Sequence, residues 1–458
     1  MLLEIIKSKG LAHNSYFLAH GEEALVVDPC RDCMVYVQLS KRECVKIKYI
    51  LETHRNEDYV IGSLELQNLT DAEIAHSKET PFKYGEHNLS GGDTLNIGHL
   101  KLKTLYTPGH TNDSICYVVY DSMRSNDPLT VFTGDTLFAG DVGRTDLLGL
   151  DIWREQSEKL YDSLHEKLLP LGDHVIVYPA HGAGSVCGHE ISDKEFSTIG
   201  YERKTNPLLQ LDKEAFTEHV MKQKLLRPPY FRKMEDHNLN GPPLLREATV
   251  PQPLSVDEFE ERMYKPNMII LDTREPGAFA SSHIPGSLNI WLDGASFFPG
   301  WVLTYDQKIL LVTERKEDVE TAKAYLHRLG FDNIIGYLCP NIKEWRNRGK
   351  PIEHLGTLSA VMLKEKLDRN EIILVDVREE REWDEGHVEG AEHIYVGHLM
   401  KEANRLPRVK PIATTCGWGG RGGLGASILK KLGFDNVYNV LGGMKAWRRL
   451  GYPVKKEL

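Results

Sequence analysis

Short apolar runs separated by polar turns, with helical stretches between them, dominate the first two hundred positions of the chain. Ser15–Ala19, Ala24–Asp28, Ile47–Glu52 and Leu129–Thr133 have the length and the apolar content of β-strands. Several of these runs end at a polar or histidine residue, as when a sheet delivers side chains to a site at its edge. From Asn206 to Pro253 the periodicity breaks at Pro228-Pro229, at a turn closing on Gly241, at Pro242-Pro243, and at Pro251 and Pro253. A domain boundary is expected there, near residue 250.

The second half repeats itself. LDTREPGAFASSHIPGSLNI (271–290) returns as VDVREEREWDEGHVEGAEHI (375–394), pairing Asp272 with Asp376, Arg274 with Arg378, His283 with His387 and Gly286 with Gly390. A period of about a hundred residues is too long for a solenoid. It predicts two tandem domains, each an α/β sheet with helices on both faces. The expected division is 1–250, 251–355 and 356–458, which suits a length of 458 residues at roughly 150 per domain.

Charge and cysteine usage narrow the class. A net charge of −10 without a basic run makes the chain a poor candidate for nucleic acid, and none is expected as a partner, since neutralised phosphates dominate such affinity. No apolar stretch approaches the roughly 20 residues of a membrane helix, so no membrane contact is expected. The segment MLLEIIKSKG lacks both a sustained apolar core and a small-residue cleavage site, so no signal peptide is expected. Seven cysteines without paired spacing point to reduced thiols and a cytoplasmic location.

One cysteine stands apart. The strand-like IATT runs into Cys416-Gly417-Trp418-Gly419-Gly420-Arg421-Gly422-Gly423 and then into a helical segment. The glycines let successive N–H groups converge into an anion-binding nest, and the following helix points its positive end there. Both effects favour a nucleophilic sulfur at Cys416, and Arg421 adds a fixed cation with a planar fork. A lone cysteine beside a Gly-rich turn is by default a buried structural residue, but the order strand, cysteine, nest, arginine, helix favours catalysis. Both repeats resemble rhodanese domains, and Cys416, Gly419 and Arg421 match that family's Cys-x-x-Gly-x-Arg active-site loop. The resemblance implies that Cys416 carries a sulfane sulfur as a persulfide, with Gly417, Trp418, Gly419 and Gly420 bounding the substrate. Trp418 stands where small residues are usual and narrows that pocket.

The first repeat differs. Aligning KILLVTERKED with KPIATTCGWGG sets Glu314 at the place of Cys416, without the glycine cradle. Cys339 lies about 25 residues further on and cannot substitute, so this copy is expected to be catalytically silent and to serve packing or oligomer contacts.

The N-terminal third carries histidines just after its strand-like runs: His54 in Glu52-Thr53-His54, His110 in Thr107-Pro108-Gly109-His110, Asp135 after Phe132, and His181 in Pro179-Ala180-His181. Any one histidine is by default structural; four such signals in order predict a metal site. They resemble the metallo-β-lactamase superfamily and its His-x-His-x-Asp-His motif, implying an αββα sandwich. His54 and Asp58 match that motif, while Asn56 and Tyr59 replace its second and third histidines. A two-metal hydrolase needs nearly the full set. His54, His110 and Asp135 are instead two imidazoles and a carboxylate, the triad of non-heme Fe(II) oxygenases. Within the superfamily this resembles the persulfide dioxygenases, which implies one Fe(II) per chain, with Asn56, Asp58, Tyr59 and His181 flanking it and Arg144 clamping substrate carboxylates.

The fold expected is therefore α/β, an N-terminal metallo-β-lactamase sandwich followed by two tandem rhodanese-like domains. The expected activity is oxidation of a low-molecular-weight thiol persulfide with O2 to sulfite, with Cys416 then passing sulfane sulfur to sulfite. The alternatives are a zinc-dependent thioester hydrolase of the glyoxalase II type, and a sulfur carrier or scaffold in which only Cys416 is active. A homo-oligomer is expected as the usual state of such an enzyme.

Overall fold

The computed structural model describes residues 1–223 and 225–456. The chain divides into two compact units, Met1–Glu247 with His327–Gly330, and Ala248–Leu326 with Phe331–Leu458. Among the described residues no helix is long and apolar enough to cross a membrane.

The first unit holds two six-stranded sheets. One takes the strands between residues 2 and 89 in chain order, the other those between residues 94 and 198. Side chains alternate between two buried faces, as the period of a strand requires. On His13–His20, Tyr16 and Leu18 enter the core between the sheets with Leu100, Tyr117 and Phe132, while Phe17 and Ala19 pack with Tyr36, Leu39 and Leu66 of two helices. The other sheet does the same: Cys116, Val118 and Val131 meet Leu160, Leu164 and Phe216 on its helical side. The result is the αββα sandwich expected from the sequence. Its four predicted strands appear as His13–His20, Glu23–Val27, Lys46–Leu51 and Pro128–Gly134.

The Pro-rich stretch after residue 206 is not a bare linker. It contains the helices Lys213–Met221 and Phe231–Asn240, and Phe216 and Val220 join the core of the second sheet. Asp212 caps the first helix by accepting from the Ala215 N–H at 2.9 Å. Pro228-Pro229 and Gly241-Pro242-Pro243 flank the helix Phe231–Asn240, where proline and glycine belong, whereas Pro251 and Pro253 fall at the edge strand Gln252–Leu254.

The second unit contains two five-stranded parallel sheets with the same strand order. The first runs Gln252–Leu254, Ile334–Leu338, Lys308–Val312, Met268–Asp272, Leu288–Asn289; the second runs Gly356–Leu358, Val437–Val440, Ile412–Thr415, Ile373–Asp376, Glu392–His393. Each copy repeats one buried bidentate pair, Arg274 on Asp272 and Arg378 on Asp376, and one buried tryptophan, Trp345 or Trp447, whose Nε1 donates to a proline carbonyl.

Strand pairing corrects the alignment of the silent copy. Asp272 pairs with Val312, and its counterpart Asp376 pairs with Thr415. The residue after each strand is thus Thr313 in the first copy and Cys416 in the second; Glu314 lies one place beyond and is exposed. The expected silence of the first copy then rests on Thr313, whose hydroxyl donates to the Arg315 carbonyl at 2.8 Å. The same copy packs on the helix Gly420–Lys431 that follows the Cys416 loop: Asn289 N–H donates to Ser427 Oγ at 3.0 Å, and Lys431 Nζ to the Gly286 carbonyl at 2.9 Å.

Candidate metal centre and reactive cysteine

Four strand ends of the first unit converge. His54 follows Lys46–Leu51, His110 follows Leu100–Tyr106, Asp135 follows Pro128–Gly134 and His181 follows Ile176–Pro179. His54 Nε2 and His110 Nε2 lie 3.8 and 3.5 Å from Asp135 Oδ2, all three side chains essentially without solvent exposure.

Each imidazole is held by its other nitrogen. His110 Nδ1–H donates to the Arg144 carbonyl at 2.8 Å, which leaves Nε2 as the free lone pair. For His54 the tautomer is set by Thr53. Its hydroxyl gives its proton to Asp28 Oδ2 at 2.7 Å, so it accepts from His54 Nδ1–H at 2.9 Å and again frees Nε2. Gly143 allows this closeness, because a Cβ there would stand 1.9 Å from the Asp135 carbonyl oxygen. Asp135 is oriented in turn by His181, whose Nδ1 lies 2.8 and 3.0 Å from its two oxygens. His181 Nε2 lies 3.1 Å from Asp58 Oδ2.

His54 Nε2 and His110 Nε2 are buried and make no hydrogen bond, nor does Glu57 Oε2. Buried polar atoms are normally satisfied, so orphans that converge mark the place of a cation. The donor set of two imidazoles and a carboxylate therefore fits the metal that the sequence predicts.

The field of the site agrees. Burial pushes the Asp135 carboxyl up, but His181, His54 and His110 hold it far below the usual carboxylate range. Burial likewise opposes charge on His110 and on Glu57, yet their mutual attraction raises the His110 pKa and lowers that of Glu57, so a positive charge, proton or metal ion, is favoured at His110 Nε2. His181, against its burial, is raised well above the ordinary histidine value by Asp135 and Asp58. Two buried carboxylates, Asp135 and Glu57, thus both face the two imidazoles.

The flanking residues divide. Asn56 Nδ2 donates to the His54 carbonyl at 3.2 Å, and Tyr59 Oη lies 2.8 Å from His13 Nε2. Three residues near the centre went unread in the sequence: Glu57, at a variable position of the motif; His13, at the start of a strand; and Cys187, whose Sγ lies 3.5 Å from Glu57 Oε1. Only Glu57 carried a signal, a carboxylate three residues after a ligand.

Arg144 requires correction. It is buried, pairs with both oxygens of Asp146 at 2.7 Å, donates to the carbonyls of Val186 and Leu226, and faces the Phe231 ring. Four of the five guanidinium N–H groups are taken up inside the fold and the side chain is buried, so Arg144 holds the loop that meets His110 rather than reaching out as a substrate clamp.

In the second unit Cys416 follows Ile412–Thr415, at the C-terminal end of a parallel strand, where α/β sheets place their sites. The loop carbonyls of Cys416, Gly417 and Trp418 accept from the N–H groups of Met444, Lys445 and Gly442, at the start of the helix Gly443–Arg449. Turned away in this manner, they leave the amides free to face the sulfur, and Gly419 N–H donates to Cys416 Sγ at 3.1 Å. Gly443, at φ +48°, is required, because a Cβ would stand 2.1 Å from the Cys416 carbonyl. Arg421 is not a free cation. Both Nη atoms bind the Glu382 carboxylate, 2.7 Å at Nη2, and that pairing outweighs the burial that disfavours its charge. Trp418 is half exposed, covers Gly420, and meets Trp291 of the silent copy edge-on at 5.5 Å between ring centroids.

Comparison with known proteins fits this architecture. The metallo-beta-lactamase superfamily model matches residues 8–181, and the rhodanese-like domain model matches residues 255–348 and 359–450. The "Probable metallo-hydrolase YqgX" of Bacillus subtilis is 35% identical over 190 residues, covering 37% of this chain and 84% of the relative. "Persulfide dioxygenase ETHE1, mitochondrial" of Bos taurus is 29% identical over 231 residues (50% and 83%), and "Hydroxyacylglutathione hydrolase" of Dictyostelium discoideum 25% over 227 (44% and 82%). A crystal structure of a metallo-beta-lactamase from Staphylococcus aureus matches with 29% identity and a TM-score of 0.66, over 74% of this chain and 98% of that one. With its donor-lined sandwich followed by two parallel α/β repeats, the chain belongs to the metallo-beta-lactamase superfamily and joins that fold to two rhodanese-like domains.

Proposed function

We propose that the chain is a non-heme iron persulfide dioxygenase coupled to a sulfurtransferase. Both domain types, and its likeness to persulfide dioxygenases, support an enzyme of persulfide-related sulfur metabolism. The observation that carries the finer reading is the convergence of two imidazoles and a carboxylate, His54 Nε2, His110 Nε2 and Asp135 Oδ2. A two-metal hydrolase would need imidazoles at positions 56 and 59, where this chain has Asn56 and a tyrosine engaged with His13.

Fe(II) held by these three residues would supply the one-electron chemistry that lets O2 react with sulfur. The residues themselves fix the donors. Thr53 and the Arg144 carbonyl hold the two ring tautomers, and His181 holds the Asp135 carboxylate. The overall change is balanced: a thiol persulfide, O2 and water give the thiol, sulfite and two protons. At the second site, Cys416 attacks the outer sulfur of a persulfide, releases the thiol and becomes a persulfide itself. The Gly419 amide faces the charge on sulfur, and the Arg421–Glu382 pair fixes the loop. Attack by sulfite on that outer sulfur returns the Cys416 thiolate and gives thiosulfate.

The test is an oxygen-electrode trace with glutathione persulfide on iron-loaded protein, with sulfite measured in a variant lacking Cys416. Uptake of one O2 per sulfite supports the reading. Iron-loaded protein that consumes no oxygen with glutathione or coenzyme A persulfide would remove it.

A further inference from the structure

We infer that Glu57 is a fourth protein ligand, making the metal centre a site of two histidines and two carboxylates. This rests on the metal centre of the proposed function, not on the reaction assigned to it. Glu57 Oε1 lies 3.4 Å from His110 Nε2, and Glu57 Oε2 lies 4.0 Å from His54 Nε2. Asp135 Oδ2 stands 3.5 and 3.8 Å from the same two nitrogens. Asp135 faces both nitrogens with one oxygen and Glu57 turns one oxygen to each, at similar range, so Glu57 too stands within reach of an ion held by the two imidazoles. Two donors bound at about 2.1 Å to one ion stand roughly 3 to 3.5 Å apart, so a small inward movement of either carboxylate completes the sphere.

A second observation is independent of those distances. The Glu57 side chain is 2% exposed, and its Oε2 accepts no hydrogen bond from any described residue. The nitrogens it faces, His54 Nε2 and His110 Nε2, have no hydrogen-bond partner either. Unpartnered acceptors and lone pairs that point at one another are repulsive unless a cation or proton lies between them. The Cys187 thiol at 3.5 Å from Oε1 is too weak a donor to satisfy a buried carboxylate.

The fourth ligand changes the chemistry. Two carboxylates neutralise a divalent ion, where a triad leaves one positive charge. In a six-coordinate ion, two exchangeable positions remain instead of three. The added oxygen also shifts preference toward oxygen-seeking ions such as Fe(II) and Mn(II) over thiophilic ones.

Two measurements on the full chain test this, and neither reads activity. Glu57→Gln keeps the shape and removes the charge, so Mn(II) and Fe(II) affinity of the metal-free protein should fall about 100-fold, with part regained in Glu57→Asp. In the unmodified protein loaded with Mn(II), water-oxygen line broadening should count no more than two bound waters. Three bound waters, or Glu57→Gln affinity within about threefold of the parent, overturns the proposal. The water count decides the matter should the variant fail to fold. A chain that passes both tests yet consumes no oxygen would keep Glu57 as a ligand and remove the dioxygenase reading.

Discussion

Tyr59 Oη lies 2.8 Å from His13 Nε2, with both side chains fully buried. Burial and the nearby His181 lower the His13 pKa, so the imidazole is neutral and accepts the phenolic proton. The other ring nitrogen meets Ser8 Oγ at 3.0 Å. The position that would offer a further imidazole to a second metal thus offers a phenol already committed elsewhere.

Reconstitution with excess Zn(II) or Fe(II) should therefore stop at one ion per chain. Tyr59→Phe should keep that stoichiometry while costing about 1–3 kcal/mol of stability, because His13 loses its buried partner. Metal analysis and urea unfolding read the two quantities. Loss of the metal in Tyr59→Phe would show that Tyr59 belongs to the metal site.

His110→Ala and Asp135→Ala should each abolish iron binding and oxygen uptake. Asn56→Ala should spare both, since the Asn56 amide turns to the His54 carbonyl. Iron content after desalting compares the three directly, and equal loss in Asn56→Ala would refute the assignment.

The two activities should separate. Cys416→Ser replaces the thiol with a hydroxyl that cannot form a persulfide, so sulfur transfer should cease while iron content and oxygen uptake stay near those of the parent. Sulfite should then accumulate in place of thiosulfate. If sulfite production ends as well, the two sites do not act independently.

The silent copy should resist repair by its nucleophile alone. Thr313→Cys puts a thiol at the place equivalent to Cys416, but the residues after it, Glu314, Arg315, Lys316 and Glu317, contain no glycine to form a nest. In a Cys416→Ser background it should give no measurable transfer from thiosulfate to cyanide, and Glu314→Cys, one place out of register, none either. Recovery in the Thr313 variant would mean that the loop is already competent.

Thiol labelling should follow burial. Burial pushes Cys116 up to about 11 and Cys30 up to about 12, and raises Cys33 and Cys187 well above the ordinary value. A raised thiol pKa keeps the sulfur protonated and unreactive at lower pH. Between pH 7 and pH 9 of an iodoacetamide series on native protein, these four should stay unmodified while exposed Cys44 reacts. Peptide mass mapping checks this, and alkylation of Cys30 without unfolding would count against the placement.

The patterns local in the chain were legible without a structure. The Cys416–Gly423 loop and the histidines at strand ends depend on residues a few places apart, and the repeat on the same residues returning at a fixed offset, so residue type and spacing suffice to read them. Three features were settled only by tertiary structure. Glu57 reaches the metal site because an irregular loop, which has no period to read, bends it back toward His54 and His110. Arg144 looked like a substrate clamp, but Asp146 and the carbonyls of Val186 and Leu226, the latter two more than forty residues away, take up four of its five N–H groups. Thr313, not Glu314, stands at the place of Cys416, because the repeats differ by one residue ahead of that strand. Only the hydrogen-bonded pairing of Asp272 with Val312 shows it, since side chains alternate faces and a slip of one residue turns each to the opposite side of the sheet.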